Sequence, residues 1–242
     1  MTGRTILVVC GVADGWTGGS GLPPVTCERH AGRMTRTNGM RVDLREAAGA
    51  FVELVATVPG GGWQLPALGV WTVLDLVGHT SRALTTIETY LKTPAERPVL
   101  SDTVAYFRAA STAAAGDERA AAAVAERGRQ AGRALGARPE EAVAALAVRV
   151  LAAVDAAPDD AVLAVPLGAM LLRDYLPTRT FELIVHSLDL AAALGSTPSL
   201  PSGPVRAAAH LATDLALASG RGPDLLFALT GRRPWPADSS VL

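Results

Sequence analysis

Apolar side chains recur at the spacing of an amphipathic helix along most of the chain. The segment VDLREAAGAFVELVATV, which begins at Val42, places its leucine, phenylalanine and valine residues along one face of a helix. The PGGG that follows is predicted to end this helix. A second helix is predicted over Val73–Leu91, because Thr72 and Asp75 have the spacing of a capping box at its start. The N-terminal region of the pattern therefore predicts two helices.

The later region of the chain is also typical of helices. Ala-rich segments at 102–115 and 139–156 predict two of them, and the stretch between is compatible with a helix but interrupted by glycine. A further helix is predicted to begin near Pro177, since proline suits a first turn, and to be capped at Gly195. The tail predicts one more helix over 204–219.

Two short segments complete the pattern. APDDAVLAVPLGAM is predicted to be a loop or a short extended piece, and DLLFALTGRRP a short segment near the end of the chain. No alternating pattern is long enough to indicate a sheet. Helices with apolar stripes, separated by loops, predict an all-α helical bundle.

The pattern divides the chain into three regions. Residues 1–39 have no sustained period and are predicted to be a leader that is disordered or precedes the native start, with Met34 or Met40 as the first residue of the domain. Residues 40–195 are predicted to form the bundle. Residues 196–242 are predicted to form a C-terminal helical extension.

Composition narrows the class of protein. Hydrophobic residues make up 49% of the chain and aromatic residues only 5%, so the core must consist mainly of alanine, leucine and valine. The net charge of -1 gives the chain no positive electrostatic field that would attract a phosphate backbone, so nucleic acid is not an expected partner. Cys10 and Cys27 both lie in the leader, which excludes a disulfide framework and favours the cytoplasm. No later apolar stretch reaches the roughly 20 residues that a membrane span needs, so no membrane partner is expected.

The segment RTFELIVHSLDL, residues 179–190, carries the most informative polar pair. Glu182 and His186 lie four residues apart, so on a helix they point the same way and can bind one ion together. Apolar residues surround them, and burying both without partners would cost on the order of several kcal/mol. Asp189, on the same side, is placed to orient the imidazole. The pair is either half of a metal site or a surface carboxylate beside a core histidine.

His79 is the best candidate for a third ligand among the four histidines of the chain. It lies in the second predicted helix, and Asp75 precedes it on the same face as a cap residue, an orienting partner or both. If this helix packs against the one bearing the Glu–His pair, two imidazoles and one carboxylate meet and leave a coordination position open. His30 lies in the leader, and His210 in the tail helix is predicted to have a surface or core role.

Two motifs in this order resemble the signature helices of the mycothiol-dependent maleylpyruvate isomerase family, within the DinB-like superfamily. They are WTVLDLVGHTSRA at residues 71–83 and TRTFELIVHSLDLAAALG at residues 178–195. The resemblance implies a DinB-like four-helix bundle with a short additional C-terminal helical segment. It also implies a divalent metal, usually zinc, held by His79, Glu182 and His186. Members of this family use mycothiol, the thiol of actinobacteria.

The resemblance further implies a metal-dependent mycothiol transferase or cis–trans isomerase, in which the metal activates the exogenous thiol for attack on a small electrophile. Arg82, Arg179 and Arg232 are candidates to bind a substrate carboxylate or the polar groups of the thiol, with structural ion pairs as the alternative. A non-catalytic metal- or ligand-binding protein with a regulatory or stress role, and a metal that only stabilises the fold, are the competing hypotheses. A homodimer is compatible with all of them.

Overall fold

The computed structural model describes residues 28–114, 118–237 and 240–241, and within them the chain is mostly helical. The predicted all-α fold is confirmed. The helices are α1 (Glu28–Ala56), α2 (Val73–Leu91), α3 (Thr103–Ala114), α4 (Glu118–Ala134), α5 (Pro139–Ala156), α6 (Leu172–Ala193), α7 (Ser202–Ala218) and α8 (Gly222–Leu229). A short 3-10 helix covers Gly62–Gln64, and two strands, β1 (Val162–Val165) and β2 (Gly168–Leu171), form a hairpin.

Four of these helices form a bundle around one core. Each of α1, α2, α5 and α6 packs against two of the others, in the order α1, α6, α2, α5 and back to α1. Helix α4 packs on α2, α7 packs on α1 and α6, and α3 packs on α6 and α7. Within the described residues, no helix combines the length and apolar character needed to cross a membrane. The large core side chains with no exposed surface include Leu44, Phe51, Leu76, Leu84, Leu183 and Leu190.

Helix α1 begins at Glu28, well before the predicted start at Val42. An apolar stripe marks only the turns of a helix that face a core, whereas the backbone hydrogen bonds of the helix can extend well beyond those turns. This corrects the expectation of irregular chain for residues 28–39. Residues 1–27, with both cysteines, lie outside the described residues, and the predicted domain boundaries stay predictions.

A hairpin occupies the segment that was predicted to be a loop or a short extended piece. Strands β1 and β2 pair antiparallel, with Val162 opposite Leu171 and Val165 opposite Gly168. Each strand has only four residues, which is too short for an alternating pattern to be recognised. The loop after α2 adds to the hairpin, since the Ala164 N–H donates to the Thr93 carbonyl at 3.0 Å. The hairpin thereby joins α2 to the start of α6.

Helix α6 begins at Leu172, so Pro177 lies inside the helix and not in its first turn as predicted. A proline at this position removes one backbone hydrogen bond, and its ring crowds the carbonyl of Arg173 one turn earlier. The other end of the helix agrees with the prediction. Gly195 has φ 62, and the Ser196 N–H donates to the Ala191 carbonyl at 2.9 Å, as in a Schellman cap. The correction adds a turn and a half of helix before the polar pair.

Helices α2 and α4 approach each other with almost no space between their backbones. A Cβ added to Gly78 would lie 2.1 Å from the Gly132 nitrogen, and one added to Gly132 would lie 2.7 Å from the Leu74 carbonyl oxygen. Gly128 and Gly132, which lie between α3 and α5, therefore do not interrupt a helix. They allow the uninterrupted helix α4 to pack closely against α2.

Candidate metal centre

Helices α2 and α6 bring the three predicted ligands together. One ligand atom each from His79, Glu182 and His186 lies within 4.8 Å of the other two. The two imidazole rings meet edge to face, with their centroids 4.9 Å apart and an interplanar angle of 82°. The His186 Nε2 lies 3.2 Å from the Glu182 Oε2. The geometry suits one shared ion, and coordination itself stays a prediction.

His186 is held in place by a carboxylate on its own helix. Its Nδ1 lies 2.9 Å from the Asp189 Oδ2, so Nδ1 carries the proton in this contact and Nε2 faces Glu182. Burial lowers the pKa of His186, but the hydrogen bonds with Asp189 and Glu182 and their negative charges raise it to about 9. Asp189 therefore occupies the orienting position that the sequence predicts.

His79 has no equivalent carboxylate. Burial, together with the charge of the neighbouring His186, lowers the pKa of His79 to about 4. Its Nδ1 is buried and has no hydrogen-bond partner among the described residues. Of the two roles considered for Asp75, the structure shows that of a helix cap. The Asp75 carboxylate accepts from the Thr72 N–H at 3.0 Å, and the Asp75 N–H donates to the Thr72 Oγ1 at 3.3 Å. The expectation that Asp75 orients His79 is corrected, because its carboxylate closes the helix terminus.

Glu182 completes a donor set that fits a divalent metal. Burial raises its pKa, but the hydrogen bond with His186 and the charges of Arg179 and His186 lower the pKa overall, which keeps the carboxylate ionised. Two imidazoles and one carboxylate are a set typical of catalytic zinc, and such sites keep a further position for water or substrate.

A cavity of about 480 Å³ adjoins the centre, with His79 and Glu182 on its wall. Side chains from α2, α3, α4, α6 and the hairpin turn line it. Among the described lining residues Glu182 is the one acid, so the cavity favours an anionic ligand. All three tyrosines of the chain and three arginines face it: Tyr90, Tyr106, Tyr175, Arg82, Arg127 and Arg179.

Arg179 is the most deeply placed of these cations, with 8% of its surface exposed. Its Nε donates to the Thr178 Oγ1 at 2.8 Å and its Nη2 to the Tyr106 hydroxyl at 3.4 Å. Its Cζ also lies 4.9 Å from the centroid of the Tyr175 ring. In the described region of the chain its hydrogen bonds go to hydroxyl groups and none to a carboxylate, which leaves its charge available to a ligand.

The predicted arginines separate into two groups. Arg82 and Arg179 line the cavity, whereas Arg232 does not belong to the lining residues. Arg232 is exposed after the end of α8, where its N–H donates to the Phe227 carbonyl at 2.8 Å. Its assignment to the cavity is corrected, because it follows α8, which packs on α7, and is not among the lining residues. Arg127 of α4 was missed, since no motif marks it and only the packing of α4 on α2 brings it to the cavity.

Comparison with known proteins agrees with the residues of the site. The chain matches a protein-family model described as the mycothiol maleylpyruvate isomerase N-terminal domain, over residues 44–191. The matched region contains all three candidate ligands. No curated protein and no solved structure matches the chain significantly.

Proposed function

Because the chain belongs to the mycothiol maleylpyruvate isomerase N-terminal domain family, we propose that it is a metal-dependent enzyme that transfers mycothiol to, or isomerises, a small anionic electrophile. The observation that carries the proposal is the meeting of two imidazoles and one carboxylate beside an arginine-lined cavity. Zinc as the metal, a cytoplasmic location and an actinobacterial source belong to the same proposal.

The residues of the centre have separate roles in this proposal. A divalent ion held by His79, Glu182 and His186 would lower the pKa of an entering thiol, so that the thiolate forms near neutral pH. Asp189 keeps the His186 ring in one orientation through the 2.9 Å contact with Nδ1. Glu182 stays ionised beside the two rings, which reduces the positive charge of the centre without abolishing it.

The cavity binds and orients the electrophile. Arg179 is largely desolvated, so its attraction to a substrate carboxylate is stronger than that of an exposed arginine. Burial raises the pKa of Tyr175, which keeps its hydroxyl protonated. Its O–H donates to the Thr86 Oγ1 at 2.9 Å, and this bond fixes the ring on which Arg179 rests.

Two outcomes are compatible with this arrangement. The thiolate sulfur adds to an electrophilic carbon and forms a C–S bond. In a transferase the bond from that carbon to a leaving group breaks, the leaving group departs with the electron pair, and the C–S bond remains. In an isomerase the π bond breaks as the C–S bond forms, and its electron pair moves onto the adjoining electron-withdrawing group. The remaining single bond rotates, the electron pair then re-forms the double bond, and the C–S bond breaks to release the thiolate. The identity of the electrophile decides between them.

The proposal is tested by measuring bound metal and mycothiol consumption together. The purified protein should contain about one zinc ion and conjugate mycothiol to monochlorobimane. Replacing His186 by alanine should abolish both, because it removes one of the three donors. His210→Ala, at the exposed histidine of α7, is the matched control and should change neither.

Other results would overturn elements of the proposal. Full metal content in His186→Ala would contradict the assignment of the metal to this site. Intact metal without turnover on any electrophile would favour a non-catalytic binding protein. A melting temperature that falls on chelation, with no thiol chemistry in the loaded protein, would indicate a purely structural ion.

A further inference from the structure

Helix α4 contributes none of the three candidate ligands, but it contacts Trp71, and Trp71 contacts the candidate ligand His79. The indole of Trp71 lies against the ring of His79, with the two centroids 4.4 Å apart and an interplanar angle of 33°. Trp71 precedes α2, and only 9% of its surface is exposed. The indole therefore forms one wall of the pocket in which the imidazole lies.

Two contacts with α4 fix the indole. The Trp71 Nε1–H donates to the Ala125 carbonyl at 3.0 Å. The ring also lies directly on Gly128, where an added Cβ would come within 2.9 Å of the Trp71 Cε2 and Cζ2 atoms. The hydrogen bond fixes the end of the ring, and the glycine provides the space that the ring fills. The position of Trp71 thus depends on α4.

The two histidines of the centre are supported in different ways. A carboxylate orients His186, but the buried Nδ1 of His79 has no hydrogen-bond partner among the described residues. The carboxylate nearest in sequence, that of Asp75, is occupied by the helix cap. The ring of His79 instead contacts two other rings, those of Trp71 and His186.

We propose that Trp71, seated on Gly128 and Ala125 of α4, is the positioning residue for His79 and sets its ring for metal binding. The inference rests on the proposed metal site. It assigns to α4 a function in the centre that packing alone would not require. Trp71 is not among the residues that line the cavity, so its effect passes through the orientation of His79.

The test compares metal affinity with the stability of the metal-free protein. Trp71→Phe keeps an aromatic ring but loses the bond to the Ala125 carbonyl. Gly128→Ala keeps Trp71 and displaces its ring, because the added methyl group would overlap it. For each full-length variant, Co²⁺ affinity is measured by chelator competition, the Co²⁺ absorption spectrum is recorded, and unfolding in urea is followed without metal.

We expect both variants to bind Co²⁺ about tenfold more weakly, the usual consequence of losing a partner that orients a ligand, and to change the Co²⁺ spectrum. Two control variants should keep the affinity and the spectrum. Trp63→Phe changes another partly buried tryptophan. Leu74→Ala weakens the same α2–α4 interface near Gly132 and should lower only the stability.

The outcomes separate this inference from the proposed function. Wild-type affinity and spectrum in both Trp71→Phe and Gly128→Ala, with reduced stability, would reduce Trp71 to a packing residue and overturn the inference. A wild-type protein that binds Co²⁺ no better than His186→Ala would instead overturn the proposed metal site, and the inference with it.

Discussion

Helix α2 makes two contacts of opposite kind at neighbouring residues. Gly78 lies against the backbone of α4, where an added Cβ would meet the Gly132 nitrogen at 2.1 Å. His79 instead faces Glu182 and His186 of α6, beside an open cavity. The contact with α4 leaves no room for a methyl group, whereas the contact with α6 leaves room for an ion and a ligand. The close contact fixes the backbone from which the open site is built.

The largest effect is expected from filling the close contact. In Gly78→Ala the new methyl group meets backbone atoms of Gly132 and Ala131, which no side-chain rotation can relieve. We expect a loss of about 3 kcal/mol in the free energy of unfolding, measured by urea denaturation. Gly49→Ala, in an exposed position of α1 with open space around the added group, should stabilise the protein by about 0.5–1 kcal/mol. Equal effects of the two substitutions would show that the close contact has no special role.

On the open side, the largest effect is expected at the buried arginine. Arg179→Met removes a desolvated cation from the cavity and keeps most of its volume. For a carboxylate-bearing electrophile we expect kcat/KM to fall roughly thirtyfold. This fall corresponds to a loss of about 2 kcal/mol in transition-state stabilisation. The neutral ester of the same compound should react almost as well with the variant as with the wild type. An equal loss for acid and ester would argue against recognition of charge at Arg179.

The open site should also make stability depend on pH, which a contact between glycines cannot do. In metal-free protein the pKa of His186 is about 9 against an ordinary value of 6.5, because Asp189 and Glu182 outweigh the effect of burial. A raised pKa in the folded state contributes stability that is complete below pH 6.5 and is lost as the pH rises through 9. With chelator present, we expect the free energy of unfolding to fall by about 1–2 kcal/mol over this interval. Asp189→Asn should flatten the curve over this interval, and a wild-type curve that rises between pH 6.5 and 9 would contradict the assignment.

The smallest effect is expected at the helix cap, which belongs to neither contact. Thr72→Ala removes the hydroxyl that accepts the Asp75 N–H and should cost about 1 kcal/mol of stability. Because the Asp75 carboxylate makes no hydrogen bond to His79, metal affinity should stay unchanged. Calorimetric titration with Zn²⁺ checks this, and a weakened affinity would indicate that the cap helps to orient His79 after all.

Patterns within one helix predicted the residues that face the cavity better than the glycines at the contact between α2 and α4. The bounds of α2 and α5, the Thr72 cap and the i, i+4 pair of Glu182 and His186 follow from spacing within one helix, which a sequence displays directly. The glycines of α4 were interpreted as interruptions, because the reason for them lies on another helix. Arg127 was missed for the same reason.

Errors at the ends of elements have a related cause. Pro177 was placed in the first turn of α6 because proline favours that position, but the helix begins earlier, at Leu172, directly after the hairpin. The hairpin itself depends on pairing between four-residue strands and with the loop after α2. Such pairing is set by the surrounding helices and not by the local sequence.

The most direct test of the central claim is a crystal structure of the zinc-loaded protein with anomalous data at the zinc edge. We predict one strong peak between α2 and α6, about 2.0–2.2 Å from one atom each of His79, Glu182 and His186. A peak that lacks any one of these three residues as a ligand, or no peak between the two helices in protein that contains zinc, would contradict the proposed metal centre.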